Sequence, residues 1–374
     1  MENPASNEST LEYQYRILPD VSRTFALTIP ALPAELRHVV ANAYLLCRLA
    51  DTIEDEPVLD SNSKTKFLEQ FIGVLKQEND PDEFAHRVAS QLSAETPNAE
   101  RDLVANTAAV VQVTRQFTRT QQDALLRCVA VMCEDMPKFQ RTKTLDGLER
   151  LEDLDGYCYV VAGVVGEMLT ELFAEHSKPV AKRKASMMPL AVSFGQGLQM
   201  TNILKDIWRD SESETCWLPR SFFTDIDGSL AQVLVERDGT RISDGVAQLV
   251  GVAHGHLIAA LRYTCNIPRR EVGIRKFCVW AIGLAILTLR NIYRNPGYTD
   301  GNQVKVSRRA VKATVFVCNI ALYSNTGLKL LFALAARGLP LASLEKAQQQ
   351  SGSDQNPQTA ESVDLPGTLS SSAQ

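Results

Sequence analysis

Hydrophobic residues recur at intervals of three and four along most of this chain, the spacing that places them on one face of a helix. Runs that alternate hydrophobic and polar residues, as half-buried strands do, are scarce. Several of the helical segments are apolar nearly all round, and helices of that kind are buried inside a large bundle. The pattern therefore predicts an all-α protein. Its long helices are predicted over residues 34–55, 66–78, 121–139, 154–173, 188–210, 246–264 and 277–294.

The same pattern divides the chain into a body and a tail. No long linker interrupts residues 12–340, so we expect one all-α domain there. Residues 345–374 lack aromatic side chains and show no helical or strand periodicity. Because such a segment cannot bury enough apolar surface to offset its conformational entropy, we predict a disordered polar tail.

Composition and charge indicate a water-soluble protein of a reducing compartment. The chain is 45% hydrophobic with a formal net charge of −5, and it has no basic block of the kind that binds nucleic acid. The eight cysteines include no C-x-x-C pair, which is typical of core thiols rather than a disulfide framework or a zinc site. The N-terminus is polar, and no run of about 18 uncharged apolar residues is present to span a membrane. We therefore expect a cytoplasmic protein without a transmembrane span.

The segment "GLKLLFALAARGLPLAS", residues 327–343, is amphipathic and lies near the C-terminus. We interpret it as the last core helix. The alternative is peripheral contact with the inner face of the membrane, since amphipathic helices also bind that interface.

An acidic cluster closes the first long helix. "LCRLADTIEDEP", residues 46–57, carries four acidic side chains directly after an apolar run. At 100° per residue, Tyr44, Arg48, Asp51 and Asp55 fall within about 60° of one another. Asp51 and Asp55 form a like-charge i,i+4 pair, which costs a helix a few tenths of a kcal/mol, on the order of 0.2–0.5. Taken alone, a solvated helix end before Pro57 would explain the cluster.

A second helix repeats the arrangement. In "GQGLQMTNILKDIWRD", residues 195–210, the polar positions Gln199, Asn202, Asp206 and Asp210 share one stripe that again ends in an i,i+4 aspartate pair. Buried charges need partners, and neither stripe contains enough basic residues to supply them. Mg²⁺ takes one or two carboxylates and completes its shell with phosphate and water oxygens. The two stripes therefore predict a site where facing aspartate pairs bind a diphosphate through Mg²⁺, with Mn²⁺ as an alternative ion.

These motifs resemble the two aspartate-rich motifs of the squalene/phytoene synthase family. Further segments are similar to that family in the expected order, and the resemblance spans roughly residues 15–335. The segments are "VSRTFALTIPALP" (21–33), "DGYCYVVAGVVGEMLTELF" (155–173), "RKFCVWAIGLAILTLRNIY" (275–293) and "QVKVSRRAV" (303–311). The last two are most similar to squalene synthases, in particular the bacterial ones.

The resemblance implies a single-domain isoprenoid synthase helical bundle with a central cavity. It also implies head-to-head joining of two farnesyl diphosphates through presqualene diphosphate, followed by reduction to squalene with NADPH. By position in the motifs, the metal would be held by Asp51, Asp55, Asp206 and Asp210. The substrate would be bound by Arg23, Phe25, Arg48, Asn202 and Lys205, and Asp51, Asp55, Tyr44 and Tyr157 would be catalytic, with the two tyrosines near the reacting carbons.

For NADPH, the sequence contains no strand-turn-helix dinucleotide fingerprint. The family resemblance suggests Lys305 and Arg308 as contacts for the cofactor phosphates and Phe277 as a residue near the cavity. A solvated basic loop explains Lys305 and Arg308 equally well.

The sequence departs from the family pattern at two places. Arg209 stands where an acid is usual, and Glu212 and Glu214 follow where an arginine is expected. We expect retained activity in a monomer, with weaker binding of diphosphate. The alternatives are a phytoene or dehydrosqualene synthase, which needs no reductant, and a catalytically impaired helical scaffold of the same fold.

Overall fold

The structure is a computed structural model that describes residues 9–22 and 25–342. Within these residues every regular element is helical, and the all-α prediction is confirmed. The α-helices are α1 (Thr10–Val21), α2 (Phe25–Thr28), α3 (Ala34–Asp55), α4 (Ser61–Leu75), α5 (Pro81–Ala89), α6 (Asn98–Ala105), α7 (Thr107–Thr114), α8 (Arg119–Thr142), α9 (Leu151–Cys158), α10 (Val164–His176), α11 (Lys178–Ala181), α12 (Lys184–Glu212), α13 (Leu230–Glu236), α14 (Ser243–Asn266), α15 (Val272–Arg294), α16 (Arg308–Ala321) and α17 (Asn325–Ala335). Short 3₁₀ turns occupy Ile29–Ala31, Arg220–Phe222 and Gly301–Gln303.

The segment predicted as one helix over 154–173 differs from the prediction in its middle. A π-helical turn, Tyr159–Gly163, joins α9 to α10. Such turns are rare and occur often at functional sites, because they change the direction in which neighbouring side chains point. Here the turn lies two residues after the candidate catalytic Tyr157.

Helix ends follow local capping signals. The side chain of Asp60 accepts hydrogen bonds from the backbone N–H groups of Asn62 and Ser63 at the start of α4. Ser307 caps α16 in the same way through the N–H of Ala310. These side chains satisfy backbone donors that have no partner within the helix, and they fix where each helix begins.

The centre of the bundle is α12, which packs against α10, α14 and α15, while α3 packs against α8. Glycine allows the closest approach. A Cβ at Gly166 would lie 2.2 Å from the carbonyl oxygen of Ala191, and one at Gly195 would lie 2.1 Å from that of Ala162. Only residues without a side chain permit backbones to meet at this distance. The "GQG" at 195–197 is thus a packing feature and not a phosphate-binding loop.

Arg275 connects three helices at one end of the bundle. It is fully buried, and its guanidinium donates to the carbonyl oxygens of Thr264 (3.1 Å), Ile267 (2.8 Å) and Leu322 (2.8 Å). Its remaining nitrogen donates to Oδ1 of Asn325 at 2.9 Å. One side chain therefore joins the C-terminal ends of α14 and α16 to the start of α17.

Two helical stretches, Leu151–His176 and Val272–Arg294, are long and apolar enough to cross a membrane by length and composition alone. Half or more of the most apolar part of each is buried inside the bundle, as expected of core helices. Arg23 and the tail predicted from residue 345 lie outside the described residues.

Candidate active site

The first acidic stripe forms at the C-terminal end of α3. Nη2 of Arg48 donates to the Tyr44 hydroxyl at 3.0 Å, and that hydroxyl donates to the carbonyl oxygen of Val21 at 2.8 Å. Nη1 of Arg48 lies 3.8 Å from Oδ2 of Asp51. The structure therefore brings together the residues that the helical spacing placed on one side.

Asp51 is poorly neutralised in this position. Its side chain is 31% exposed, and burial raises its pKa to about 6 even though Arg48 opposes the shift. The charges of Asp55 and Glu100 raise it further. A carboxyl whose pKa is raised in this way favours either a proton or a cation beside it.

The second stripe lies along the C-terminal half of α12. Nζ of Lys205 is 3.1 Å from Oδ2 of Asp206 and 3.4 Å from Oδ1 of Asn202. Burial and the charge of Asp206 raise the pKa of Asp210 to about 7, against the opposing charges of Arg209 and Lys205. The carboxylate of Asp55 also raises the pKa of Asp210, so the two stripes are within electrostatic range of each other.

The donor set fits a cation that shares its ligands with a substrate. Among residues 9–22 and 25–342, no three acidic, histidine or cysteine side chains converge to hold an ion by themselves. Each stripe instead offers an aspartate pair with oxygen donors only. Mg²⁺ is typically bound in this way, through one or two carboxylates together with phosphate oxygens and water.

Tyr157 stands beside the first stripe. Its ring stacks on Trp217 with centroids 3.8 Å apart and an interplanar angle of 9°, and the edge of Phe139 meets it at 5.5 Å. Burial raises the pKa of Tyr157 well above its ordinary value, and the charges of Glu54 and Asp55 raise it further. The phenol therefore stays protonated at neutral pH.

An aromatic cluster adjoins Tyr44 on its other side. The ring of Phe25 lies 5.4 Å from Tyr44 and 6.4 Å from Phe277, whose ring is 6.1 Å from Phe173. The cluster joins α2, α3, α10 and α15, and it brings Phe25 next to both Tyr44 and Phe277.

The valine-rich segment that follows Tyr157 presents two faces. Val161, Val165 and Leu169 are partly exposed, four residues apart and in step with Tyr157. Val160 and Val164 are buried in the core. An apolar lining next to Tyr157 is therefore available from the first set and not from Val160 or Val164.

Lys305 and Arg308 are exposed at the start of α16. The segment that leads to them packs on the helix of the second stripe. Nε1 of Trp208 donates to the carbonyl oxygen of Tyr298 at 2.7 Å, and the Tyr298 hydroxyl donates to that of Leu204. A Cβ at Gly301 would lie 2.7 Å from the carbonyl oxygen of Lys205.

Two residues that depart from the family pattern, Arg209 and Glu212, differ in the charged groups that they approach. Glu212 turns away from Asp210, because its Oε1 pairs with Nη1 of Arg237 at 2.9 Å. Arg209 is exposed, and its charge reaches Glu100, where it lowers the carboxyl pKa against the larger raising effect of burial. The charge of Arg209 thus acts on Glu100 as well as on Asp210 of its own motif.

Sequence reasoning missed Glu100 and Trp217. Thr52 donates to Oε2 of Glu100 at 3.5 Å, and the charges of Glu100 and Arg48 act on each other. Glu100 comes from α6, a short helix without a motif, so no sequence signal pointed to it. Trp217 reaches Tyr157 because the loop after α12 turns back, with the N–H of Thr215 bonded to the carbonyl oxygen of Asp210 at 3.1 Å.

Comparison with known proteins supports the resemblance. The family model described as squalene/phytoene synthase matches residues 18–310. The chain is a member of the squalene/phytoene synthase family. Family enzymes are prenyltransferases.

Among curated relatives of this family member, the squalene synthase of Gibberella zeae is 26% identical over 324 residues, covering 86% of this chain and 67% of that protein. The chain spans about two thirds of the length of the curated relatives it matches. The solved complex of TcSQS with the ligand BPH1237 has a TM-score of 0.72 and 23% identity, covering 92% of this chain and 96% of that one. A dehydrosqualene synthase in complex with a ligand has a TM-score of 0.60 and 21% identity, covering 84% and 96%. Both structures share the all-α fold.

Proposed function

We propose that this family member is a squalene synthase that joins two farnesyl diphosphates head to head and reduces the presqualene diphosphate with NADPH. The observation that carries the proposal is the pair of facing acidic stripes. Asp51 and Asp210 each have a raised pKa, and the charge of Asp55 reaches Asp210 across the gap. The names of the fungal relatives support squalene as the product.

The four aspartates Asp51, Asp55, Asp206 and Asp210 would hold the metal. Bound Mg²⁺, or Mn²⁺ in its place, would neutralise the diphosphate groups and favour departure of one of them. Arg48 and Lys205 flank the aspartates at 3.8 and 3.1 Å, where a guanidinium and an ammonium can also bind phosphate oxygens. Asn202 supports Lys205, and Arg23 completes the basic set in this proposal.

The aromatic cluster would stabilise the carbocations. The rings of Phe25, Tyr44 and Phe277 present electron-rich faces that attract positive charge, an effect of about 0.5–2 kcal/mol for each well-placed ring. The partly exposed Val161, Val165 and Leu169 would keep water away from the cation, which it would otherwise trap as an alcohol. Because Tyr157 remains a neutral phenol, it can pass the proton lost on cyclopropane closure to a diphosphate oxygen without itself ionising.

In the second half-reaction, Lys305 and Arg308 would bind the phosphates of the cofactor beside the second stripe. Bound NADPH would supply the hydride that ends the rearrangement. The packing of residues 298–301, which precede this basic pair, against α12 supports the proposal. We further propose that the protein works as a cytoplasmic monomer.

A dehydrosqualene synthase is the second candidate, favoured by the structural similarity to one at a TM-score of 0.60. A product assay separates the candidates. The purified chain is incubated with farnesyl diphosphate and Mg²⁺, with and without NADPH, and the hydrocarbons are extracted after phosphatase treatment.

We expect squalene only with NADPH and presqualene alcohol without it. A conjugated C30 product in either case would assign dehydrosqualene or phytoene-type chemistry. No consumption of farnesyl or geranylgeranyl diphosphate would contradict the enzymatic proposal and favour the scaffold, with Arg209 as its cause.

A further inference from the structure

A buried histidine on α14 has polar partners on two other helices. His256 is 5% exposed, and its Nδ1 shares a hydrogen bond of 2.8 Å with Oγ of Ser193 on α12. Its Nε2 lies 3.7 Å from Oδ1 of Asp155 on α9. A Cβ at Gly197 would lie 2.9 Å from the Cβ of His256, so glycine allows α14 to approach α12 closely here. His256 therefore lies where α9, α12 and α14 meet.

The chemistry of the three side chains assigns a role to each imidazole nitrogen. A carboxylate only accepts hydrogen bonds, so the arrangement favours a proton on Nε2, the nitrogen that faces Asp155. In the neutral ring, Nδ1 then accepts a hydrogen bond from the Ser193 hydroxyl. The contact with Asp155 is longer than a hydrogen bond, and an approach of about 0.7 Å would convert it into one.

The backbone of Asp155 is held as well, two residues before Tyr157. Nε2 of Gln196 on α12 donates to the carbonyl oxygen of Asp155 at 3.1 Å. At 100° per residue, the side chains of Asp155 and Tyr157 point about 160° apart on α9. The contacts at Asp155 therefore hold one side of a helical turn whose other side carries Tyr157 and its stack on Trp217.

The orientation of Tyr157 depends on the π-helical turn that follows it. In this turn, Tyr159–Gly163, the backbone N–H of Val164 bonds to the carbonyl oxygen five residues back. One extra residue in a turn rotates the side chains before it by about 100° relative to those after it. Since α10 packs closely on α12, a turn that relaxed to a regular α-helix would rotate Tyr157 away from Trp217. Contacts that attach Asp155 to α12 and α14 oppose this rotation.

We propose that His256 is a positioning residue for Tyr157, which it holds, through Asp155, in the orientation that the reaction uses. This role rests on the reaction proposed above, in which Tyr157 is the neutral phenol that passes on a proton. His256 acts through another residue and is not itself a catalytic group.

An ordinary core histidine is the alternative, and His254 provides the comparison. It lies two residues earlier on α14 and is also buried, at 7% exposed. Its Nδ1 donates to the carbonyl oxygen of Pro340 at 2.7 Å, and its ring packs on Phe332 with centroids 5.9 Å apart. These contacts attach the segment after α17 to α14. His254 and His256 share a helix and a degree of burial but have different partners, so they form a matched pair.

Fluorine NMR of the full chain labelled with 5-fluorotryptophan tests the proposal, because the ring of Tyr157 stacks on Trp217. The chain has three tryptophans, and Trp217→Phe identifies the resonance of Trp217. His256→Leu keeps a side chain of similar size but removes both polar contacts, and we expect it to shift that resonance. It should also lower kcat by about tenfold to a hundredfold, with KM changed by less than about threefold.

Three further variants separate positioning from packing. His256→Gln should recover most of kcat, because its amide can accept from Ser193 and donate to Asp155. Asp155→Ala should shift the same Trp217 resonance, and combining it with His256→Leu should cause little further loss, since both act through one contact. The matched control, His254→Leu, should lower the melting temperature but leave the Trp217 resonance and kcat unchanged.

An unchanged Trp217 resonance in His256→Leu would overturn the proposal, as would an equal shift in His254→Leu. If His256→Leu does not fold, the same criterion applies to Asp155→Ala, which changes a partly exposed position. A shifted resonance with an unchanged kcat would also overturn it. A wild type that consumes no farnesyl diphosphate would contradict only the reaction, because the resonance reports the stack of Tyr157 on Trp217 without turnover.

Discussion

Arg275 and the carboxylates of the two acidic stripes differ in how their charges are satisfied. Arg275 is fully buried, and its three nitrogens donate four hydrogen bonds to oxygens 2.8–3.1 Å away. Asp51 has one cation, Arg48, at 3.8 Å. At Asp210 the charges of Asp206 and Asp55 outweigh the opposing charges of Arg209 and Lys205. The first arrangement is complete without a ligand, whereas we propose that the second is completed by a bound cation. The difference separates a structural charge from a functional one.

The largest expected effect comes from removing a carboxylate that the protein does not satisfy. We expect Asp51→Asn to lower kcat/KM by about a thousandfold or more, on the scale at which loss of transition-state charge stabilisation acts. The melting temperature should stay the same or rise, because the neutral amide removes repulsion from Asp55 and Glu100. Product assays and calorimetry measure the two quantities, with exposed Asp227→Asn as the control. A large loss of stability would instead assign Asp51 a structural role.

Arg275→Met should behave in the opposite way. It removes four hydrogen bonds and leaves buried carbonyl oxygens without donors, so the free energy of unfolding should fall by about 3 kcal/mol. Turnover per folded molecule should remain close to normal, because Arg275 does not contact the acidic stripes. Urea denaturation measures the free energy of unfolding, and activity assays at matched folded fractions measure turnover. Arg275→Lys keeps the charge with fewer donors, so its free energy of unfolding should lie between those of the wild type and Arg275→Met. An inactive but stable Arg275→Met protein would mean that Arg275 has a functional role and not a structural one.

Arg209→Glu should strengthen cation binding at the second stripe. It replaces a cation beside Asp210 with the acid that is usual in the family. We expect the Mg²⁺ concentration for half-maximal activity to fall severalfold, roughly tenfold at most, an effect of about 1.4 kcal/mol. Arg209→Gln serves as the matched control and should show a smaller decrease. An increase in that concentration would mean that Arg209 contacts the diphosphate directly.

The smallest expected effect is the pH dependence of the metal-free protein. The pKa values of Asp51, about 6, and Asp210, about 7, lie above the ordinary value of 3.8. Between about pH 4 and 7 the folded state therefore holds protons that the unfolded state has lost, and stability decreases as the pH rises. Mg²⁺ binds the deprotonated form, so its stabilising effect should grow over the upper part of the same range. Thermal melts with and without Mg²⁺ measure both trends. A metal-free melting temperature that rises between about pH 4 and 7, or a stabilising effect of Mg²⁺ that shrinks over that range, would contradict these pKa shifts.

Much of the fold was predictable because helical periodicity records which face of each helix is buried. Six of the seven predicted long helices are present as single α-helices, and the segment 34–55 matches α3 at both ends, whereas the segment 154–173 is divided into α9 and α10. The π-helical turn at Tyr159–Gly163 was not predictable from periodicity, and its residue Ala162 packs closely on Gly195 of α12.

The two acidic stripes were predictable for the same reason, because their members are neighbours on single helices. Glu100 was not, because it reaches Arg48 and Arg209 from a distant short helix. The stacking of Trp217 on Tyr157 likewise depends on how the loop after α12 turns back. Contacts between elements depend on tertiary packing, which periodicity along one element does not encode.

We propose that the two stripes bind one diphosphate-containing ligand through shared metal ions. Isothermal titration with a non-reactive thiodiphosphate analogue of farnesyl diphosphate tests it directly, for the wild type, Asp51→Asn and Asp210→Asn. We predict binding only with Mg²⁺, and a loss of about a hundredfold or more in affinity in either variant. Binding that is equally tight without Mg²⁺, or that survives both substitutions, would contradict the account.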